Sequence, residues 1–103
     1  MQYRTFGKHP WQASVLGFGC MRLPVIGGNS GNIDQEKVDA LIRRAVEAGI
    51  NYFDTAYTYH EQTSESALGK ALRGGLRDKG RIATKLHVWL VHEPADFERL
   101  LEE

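Results

Sequence analysis

Asp54 closes a short apolar segment, Ile50-Asn51-Tyr52-Phe53-Asp54, and two phenols, Tyr57 and Tyr59, follow it within five residues. Lys85 lies at the end of a second segment of this kind, Arg81 to Leu86. Adjacent parallel strands run about 4.8 Å apart, so the carboxylate and the ammonium meet directly if both point to one face. An ammonium paired with a carboxylate keeps its charge, and a phenol beside it ionises more easily than a free tyrosine. Such a phenol is a general acid suited to a developing alkoxide. A buried ion pair with two packing tyrosines accounts for the same residues equally well, because structural pairs also perturb pKa values. At this level Tyr57 and Tyr59 are chemical equals.

The elements that must position these residues are legible in the hydrophobic pattern. Residues 2–6 and 12–15 read as a hairpin with turn chemistry at Gly7-Lys8-His9-Pro10. Val15-Leu16-Gly17-Phe18-Gly19 reads as a short strand, and residues 20–33 as a loop rich in Gly, Pro and Asn. Asp34 is a helix N-cap, and Val38, Leu41, Ile42, Ala45 and Val46 form one apolar stripe stopped by Gly49. A second helix runs from about Ser64 to Leu72 and ends at Gly74-Gly75. Pro94 opens a third, with Phe97, Leu100 and Leu101 on one side.

The order is a hairpin followed by β-α-β-α-β-α. The strand centres Leu16, Phe53 and Ala83 lie roughly 30–40 residues apart, as parallel strands joined by crossover helices require. A doubly wound open sheet and a (β/α)8 barrel both use such units. Each strand has a bulky face for helices, with Leu16, Phe18, Phe53, Ile82 and Leu86 pointing one way. The opposite face is small or ends in a charge, which favours a closed barrel with its site at the C-terminal mouth. A whole barrel takes about 250 residues, so the 103-residue chain is expected to be the first part of something larger.

Composition removes several classes of function. The chain is 42% apolar and 25% charged, an ordinary globular balance. Thirteen Lys and Arg offset thirteen Asp and Glu, so no electrostatic footprint for nucleic acid or for an anionic membrane is expected. Cys20 is the only cysteine, which leaves no internal disulfide and no cysteine zinc site. The apolar stretch Val15 to Gly28 is broken by Arg22, Pro24 and glycines, too short to span a bilayer. The opening residues carry no secretory signal, and the expected compartment is the cytoplasm. Gly17-Phe18-Gly19-Cys20-Met21-Arg22 lacks the third glycine and following helix of a dinucleotide fingerprint.

Three strings then occur in order: Phe53-Asp54-Thr55-Ala56-x-x-Tyr59, Ser64-Glu65-x-x-Leu68-Gly69-x-Ala71-Leu72, and Ala83-Thr84-Lys85. Together with Leu16-Gly17-Phe18-Gly19-Cys20-Met21-Arg22, they closely resemble the aldo-keto reductase family, and most of all its bacterial members. The resemblance covers nearly the whole chain. It implies a (β/α)8 TIM barrel, here the N-terminal hairpin and three βα units, and NAD(P)H-dependent reduction of an aldehyde or ketone. It implies Asp54, Tyr59 and Lys85 as catalytic residues, with motif spacing selecting Tyr59 over Tyr57. It implies Gly19, Cys20, Met21 and Asp54 near the nicotinamide end of NADPH.

The family's catalytic histidine belongs to the fourth strand, past residue 103, and much of its cofactor site comes from later loops. His9, His60, His87 and His92 do not match it. His60 is expected to be a solvated loop residue, and exposed roles are expected for His87 and His92. Cys20 is expected to be a small buried neighbour of the cofactor rather than a nucleophile. The isolated chain is therefore expected to be inactive and poorly stable. The alternative is a non-catalytic truncated chain or interaction module, self-associating through its open sheet edges.

Overall fold

A computed structural model describes residues 1–103, the whole chain. Strands β1 (Tyr3–Phe6) and β2 (His9–Ser14) form an antiparallel hairpin, with Tyr3 opposite Ser14 and Thr5 opposite Gln12. The register shifts after Thr5 so that Phe6 pairs with His9. The turn is thus only Gly7-Lys8, shorter than the four-residue turn the sequence suggests. The second sheet contains β3 (Phe18–Gly19), β4 (Tyr52–Asp54) and β5 (Arg81–Ala83) in that order. Both pairings are parallel, as the crossover spacing predicts. Phe18, Phe53 and Ile82 share one level, and Gly19, Asp54 and Ala83 the next.

Helix α1 (Gln35–Glu47) connects β3 to β4, and α2 (Ser64–Ala71) connects β4 to β5. Asp34 caps α1, its side chain accepting the Lys37 backbone N–H at 3.3 Å. Val38, Ile42 and Ala45 of α1 meet Ala67, Leu68 and Ala71 of α2 in one core with Phe53, Leu72 and Cys20. Leu41 stands at the exposed flank of the expected stripe. Phe53 is fully buried at the centre because strand alternation turns it toward the helices. Gly80 passes so close to its ring that an added Cβ would stand 2.7 Å from Cε2 and 3.1 Å from the Asn51 carbonyl oxygen.

The hairpin is fastened to the N-terminal end of the sheet by Asn51. Its side chain accepts from the Ser14 N–H (2.8 Å) and donates to the Gln12 carbonyl (2.9 Å). The Asn51 N–H in turn donates to Ser14 Oγ (3.1 Å). The Phe6 and Trp11 rings then cover Tyr52, with centroids 6.1 and 6.4 Å away. The hairpin therefore closes the end of the sheet opposite Asp54.

Two strands are shorter than the sequence suggests. Ser14 Oγ donates to the Leu16 carbonyl at 2.7 Å, and the Val15 N–H bonds to Gln2. The chain turns a corner there, and Val15 and Leu16 are exposed rather than packed under helices. β5 ends at Ala83, so Lys85 lies just past the strand and not within it.

Helix α3 (Pro94–Glu102) starts at Pro94 with a reciprocal cap between Glu93 and Asp96. The His92 and Glu93 N–H groups hold the Asp96 carboxyl below its ordinary pKa. No α3 residue is buried, and Phe97 and Leu101 leave its apolar stripe uncovered.

Replacing Gly80 with alanine should force the Phe53 ring from its place. Overpacking of this kind costs about 1–3 kcal/mol, and the urea midpoint of Gly80→Ala should fall accordingly. An unchanged midpoint would contradict the close packing.

Candidate active site

Asp54 is the last residue of β4, and its side chain points away from the core that Phe53 enters. Lys85 reaches back from beyond β5, placing Nζ 2.6 Å from Asp54 Oδ1 and 2.9 Å from the Thr55 carbonyl oxygen. The same Nζ lies 4.9 Å from the centroid of the Tyr59 ring, in cation–π range. The Lys85 and Asp54 side chains are 43% and 40% exposed, so the pair is not a buried bridge. It is an open constellation at the C-terminal ends of the strands.

Desolvation pulls the Lys85 pKa down, but the Asp54 carboxylate and the Tyr59 phenol outweigh it and the net shift is upward. The ammonium is therefore a fixed positive charge at any neutral pH. The two phenols also differ electrostatically. The Tyr57 pKa is raised, chiefly by the Glu103 carboxylate and further by desolvation. Tyr59 has no such carboxylate and lies against the ammonium.

The end of β3 completes the rim. Gly19 sits level with Asp54, and a Cβ there would meet nothing within 4 Å. Met21 is exposed beside it. Cys20 is fully buried, and only its backbone faces the ladder, donating its N–H to the Asp54 carbonyl at 2.8 Å. Burial pushes the Cys20 thiol up to about 11; the Asp54 carboxylate adds to this and Lys85 partly offsets it. The space above Gly19 is open.

Sequence reasoning missed three supporting residues. Thr55 and Ser64 are buried, and their hydroxyls meet at 2.8 Å. Ser64 Oγ donates to the Cys20 carbonyl at 3.1 Å, so the Thr55 hydroxyl donates to Ser64. This relay ties the ends of β3 and β4 to the first turn of α2. Ser64 reads in sequence only as a helix start, and no local signal marks its inward hydroxyl. The third is His60, which is 7% exposed rather than solvated. Its Nε2 accepts from the Leu23 N–H at 2.9 Å. His87 is half-buried, with Nε2 2.8 Å from Thr58 Oγ1 and its ring against Trp89. His92 is exposed, as expected.

The family model described as "Aldo/keto reductase family" matches residues 15–100. The chain belongs to the aldo/keto reductase family. A probable aldo-keto reductase from Glycine max is 37% identical over 82 residues, covering 80% of this chain and 23% of that protein. Among solved structures, the holo form of an aldo-keto reductase from Bacillus halodurans superposes with a TM-score of 0.69 at 36% identity. It covers 84% of this chain and 26% of that one. A Klebsiella pneumoniae aldo-keto reductase in complex with NADPH gives a TM-score of 0.68 at 25% identity, covering 88% of this chain and 30% of that one. This chain thus spans about a quarter to a third of the length of these aldo/keto reductases. Its parallel sheet and crossover helices are the N-terminal part of their (β/α)8 barrel. No helix is long and apolar enough to cross a membrane.

A thiol pushed to about 11 and fully buried is a poor nucleophile. In the folded chain at pH 8, Cys20 should resist a disulfide reagent such as dithiobis(nitrobenzoate), and it should react promptly once urea is added. Prompt reaction of the native chain would contradict the packing of β3 against the helices.

Proposed function

We propose that this chain carries the proton-donating part of an NAD(P)H-dependent reductase of small aldehydes or ketones. The observation that carries the reading is the single Lys85 ammonium held between the Asp54 carboxylate and the Tyr59 ring. Tyr59 gives its proton to the carbonyl oxygen as negative charge grows there. Lys85 stabilises the charge left on the phenol, and Asp54 holds Lys85 at the strand ends so that it cannot swing into solvent. Motif spacing and the contact with Lys85 favour Tyr59 over Tyr57 as the donor.

Gly19, Met21, Asp54 and the backbone of Cys20 are the residues of this chain that would border a bound NAD(P)H. When bound, that cofactor supplies the hydride. The space above Gly19 and the exposure of Met21 and Asp54 support this reading. A reductase of this kind works where NADPH is regenerated, and the proposed compartment is the cytoplasm.

A second reading is favoured by the uncovered apolar stripe of α3 and the unpaired outer edges of β3 and β5. On it the chain is a non-catalytic module that associates with copies of itself. Concentration-dependent sedimentation without any cofactor binding in a completed barrel would support that alternative.

Residues 15–100 grafted into the Bacillus halodurans reductase provide the test. Loss of general acid catalysis costs about 10²–10⁴-fold, and Tyr59→Phe in the graft should lose turnover by that order while NADPH binding persists. Tyr57→Phe should stay within a few-fold of the parent graft. The reverse pattern would assign the proton to Tyr57. The 103-residue chain by itself should oxidise no NADPH with a simple aldehyde; robust turnover would contradict the division of the site between this segment and the rest of the barrel.

A further inference from the structure

Three consecutive residues after Tyr59 adopt left-handed backbone: His60 (φ 53°), Glu61 (φ 53°) and Gln62 (φ 69°). None is glycine, and side chains bearing a Cβ resist that conformation. A strained run persists only where its surroundings over-determine it, and such runs cluster at working sites. Here the determining contacts belong largely to His60. Its carbonyl accepts from Thr63 Oγ1 (2.6 Å) and from the Thr63 N–H (3.1 Å), and the Tyr59 carbonyl accepts from the Ser64 N–H (3.3 Å).

The imidazole does something different from these local bonds. Nε2 accepts from the Leu23 N–H at 2.9 Å. Nδ1 lies 2.8 Å from the Ser30 carbonyl oxygen, which only accepts, so Nδ1 carries the proton. Leu23 and Ser30 lie on opposite limbs of the loop between β3 and α1. That loop also closes on itself through the Ile26 N–H to Asn32 bond and the Val25–Ile33 bridge. One buried ring therefore spans the loop that begins at Cys20, and its own peptide is joined to Tyr59.

We propose that His60 is a positioning residue: in its Nδ1–H tautomer it locks the β3–α1 loop and the Tyr59 backbone into one unit and so sets where the phenol stands beside Lys85. The significance of Tyr59 rests on the proposed function; the lock itself does not.

The test uses the 103-residue chain labelled with ¹⁵N-histidine and with ¹³C at tyrosine Cζ. Long-range ¹H–¹⁵N correlations at neutral pH should show His60 protonated at Nδ1 and bare at Nε2. An Nε2–H tautomer would overturn the proposal. His60→Ala should speed hydrogen exchange of the Leu23 amide at least tenfold and shift the Tyr59 Cζ resonance. His60→Gln, which keeps one donor and one acceptor, should restore part of both. Lost Leu23 protection with an unmoved Tyr59 signal would reduce His60 to a loop tether and refute positioning. A glutamine variant that folds yet is as disturbed as the alanine variant would refute the hydrogen-bonded basis. Failure of the reductase reading would appear separately, as an inactive graft whose His60 tautomer and Tyr59 coupling stand.

Discussion

The parallel register of three short strands is the constraint from which the rest follows. Phe18, Phe53 and Ile82 lie on one level and Gly19, Asp54 and Ala83 on the next. Alternation then sends Phe53 into the helices and Asp54 to the opposite face. Lys85 arrives from just beyond β5, and its 2.6 Å contact with Asp54 requires that register. A slip of one residue would exchange the faces, placing a carboxylate in the core and a benzyl ring at the mouth. The burial of Phe53 and the position of the ion pair are thus one fact seen from two sides of a sheet.

Around that register the chain divides its labour between the two ends of the strands. At the N-terminal end, Asn51 and the Phe6–Trp11–Tyr52 cluster fasten the hairpin. At the C-terminal end, backbone bonds from Cys20 to Asp54 and from Thr55 to Ala83 carry the ladder past the strands. The Thr55–Ser64 hydroxyl pair then anchors that end to α2. The core lies against the helices, whereas the Asp54–Lys85 pair at the strand ends stays open.

Much of this was legible in the sequence because it depends on local periodicity. The stripe Val38, Ile42, Ala45, the cap at Asp34 and the stops at Gly49 and Gly74-Gly75 all correspond to structure. Asp54, Lys85 and Tyr59 were found from residue type, strand position and family resemblance, and the structure brings them together. What escaped was set by nonlocal hydrogen bonds. The corner at Ser14–Leu16 that exposes Leu16 depends on a hydroxyl reaching its own chain. His60 looked like a loop residue because its two partners, Leu23 and Ser30, are some thirty or more residues earlier. Residue type alone left Tyr57 and Tyr59 equal, and only motif spacing favoured Tyr59; the structure adds that the Tyr59 ring lies against the Lys85 ammonium.

Asp54 holds Lys85 as a cation beside Tyr59 throughout the neutral range. The Lys85 pKa is raised above its ordinary 10.5 in the folded chain. The associated stabilisation is therefore fully present below about pH 10.5 and lost as pH rises through the folded value. The pair is more than a third exposed, so this contribution is small and stability alone is a blunt probe. The direct measurement is a titration of the Lys85 side chain by NMR in the native chain and in Asp54→Asn. The expected result is a midpoint above 10.5 in the native chain that falls in Asp54→Asn, where desolvation is no longer outweighed by the carboxylate. A midpoint that does not move would contradict the claim, because it would mean that Asp54 does not hold the ammonium in solution.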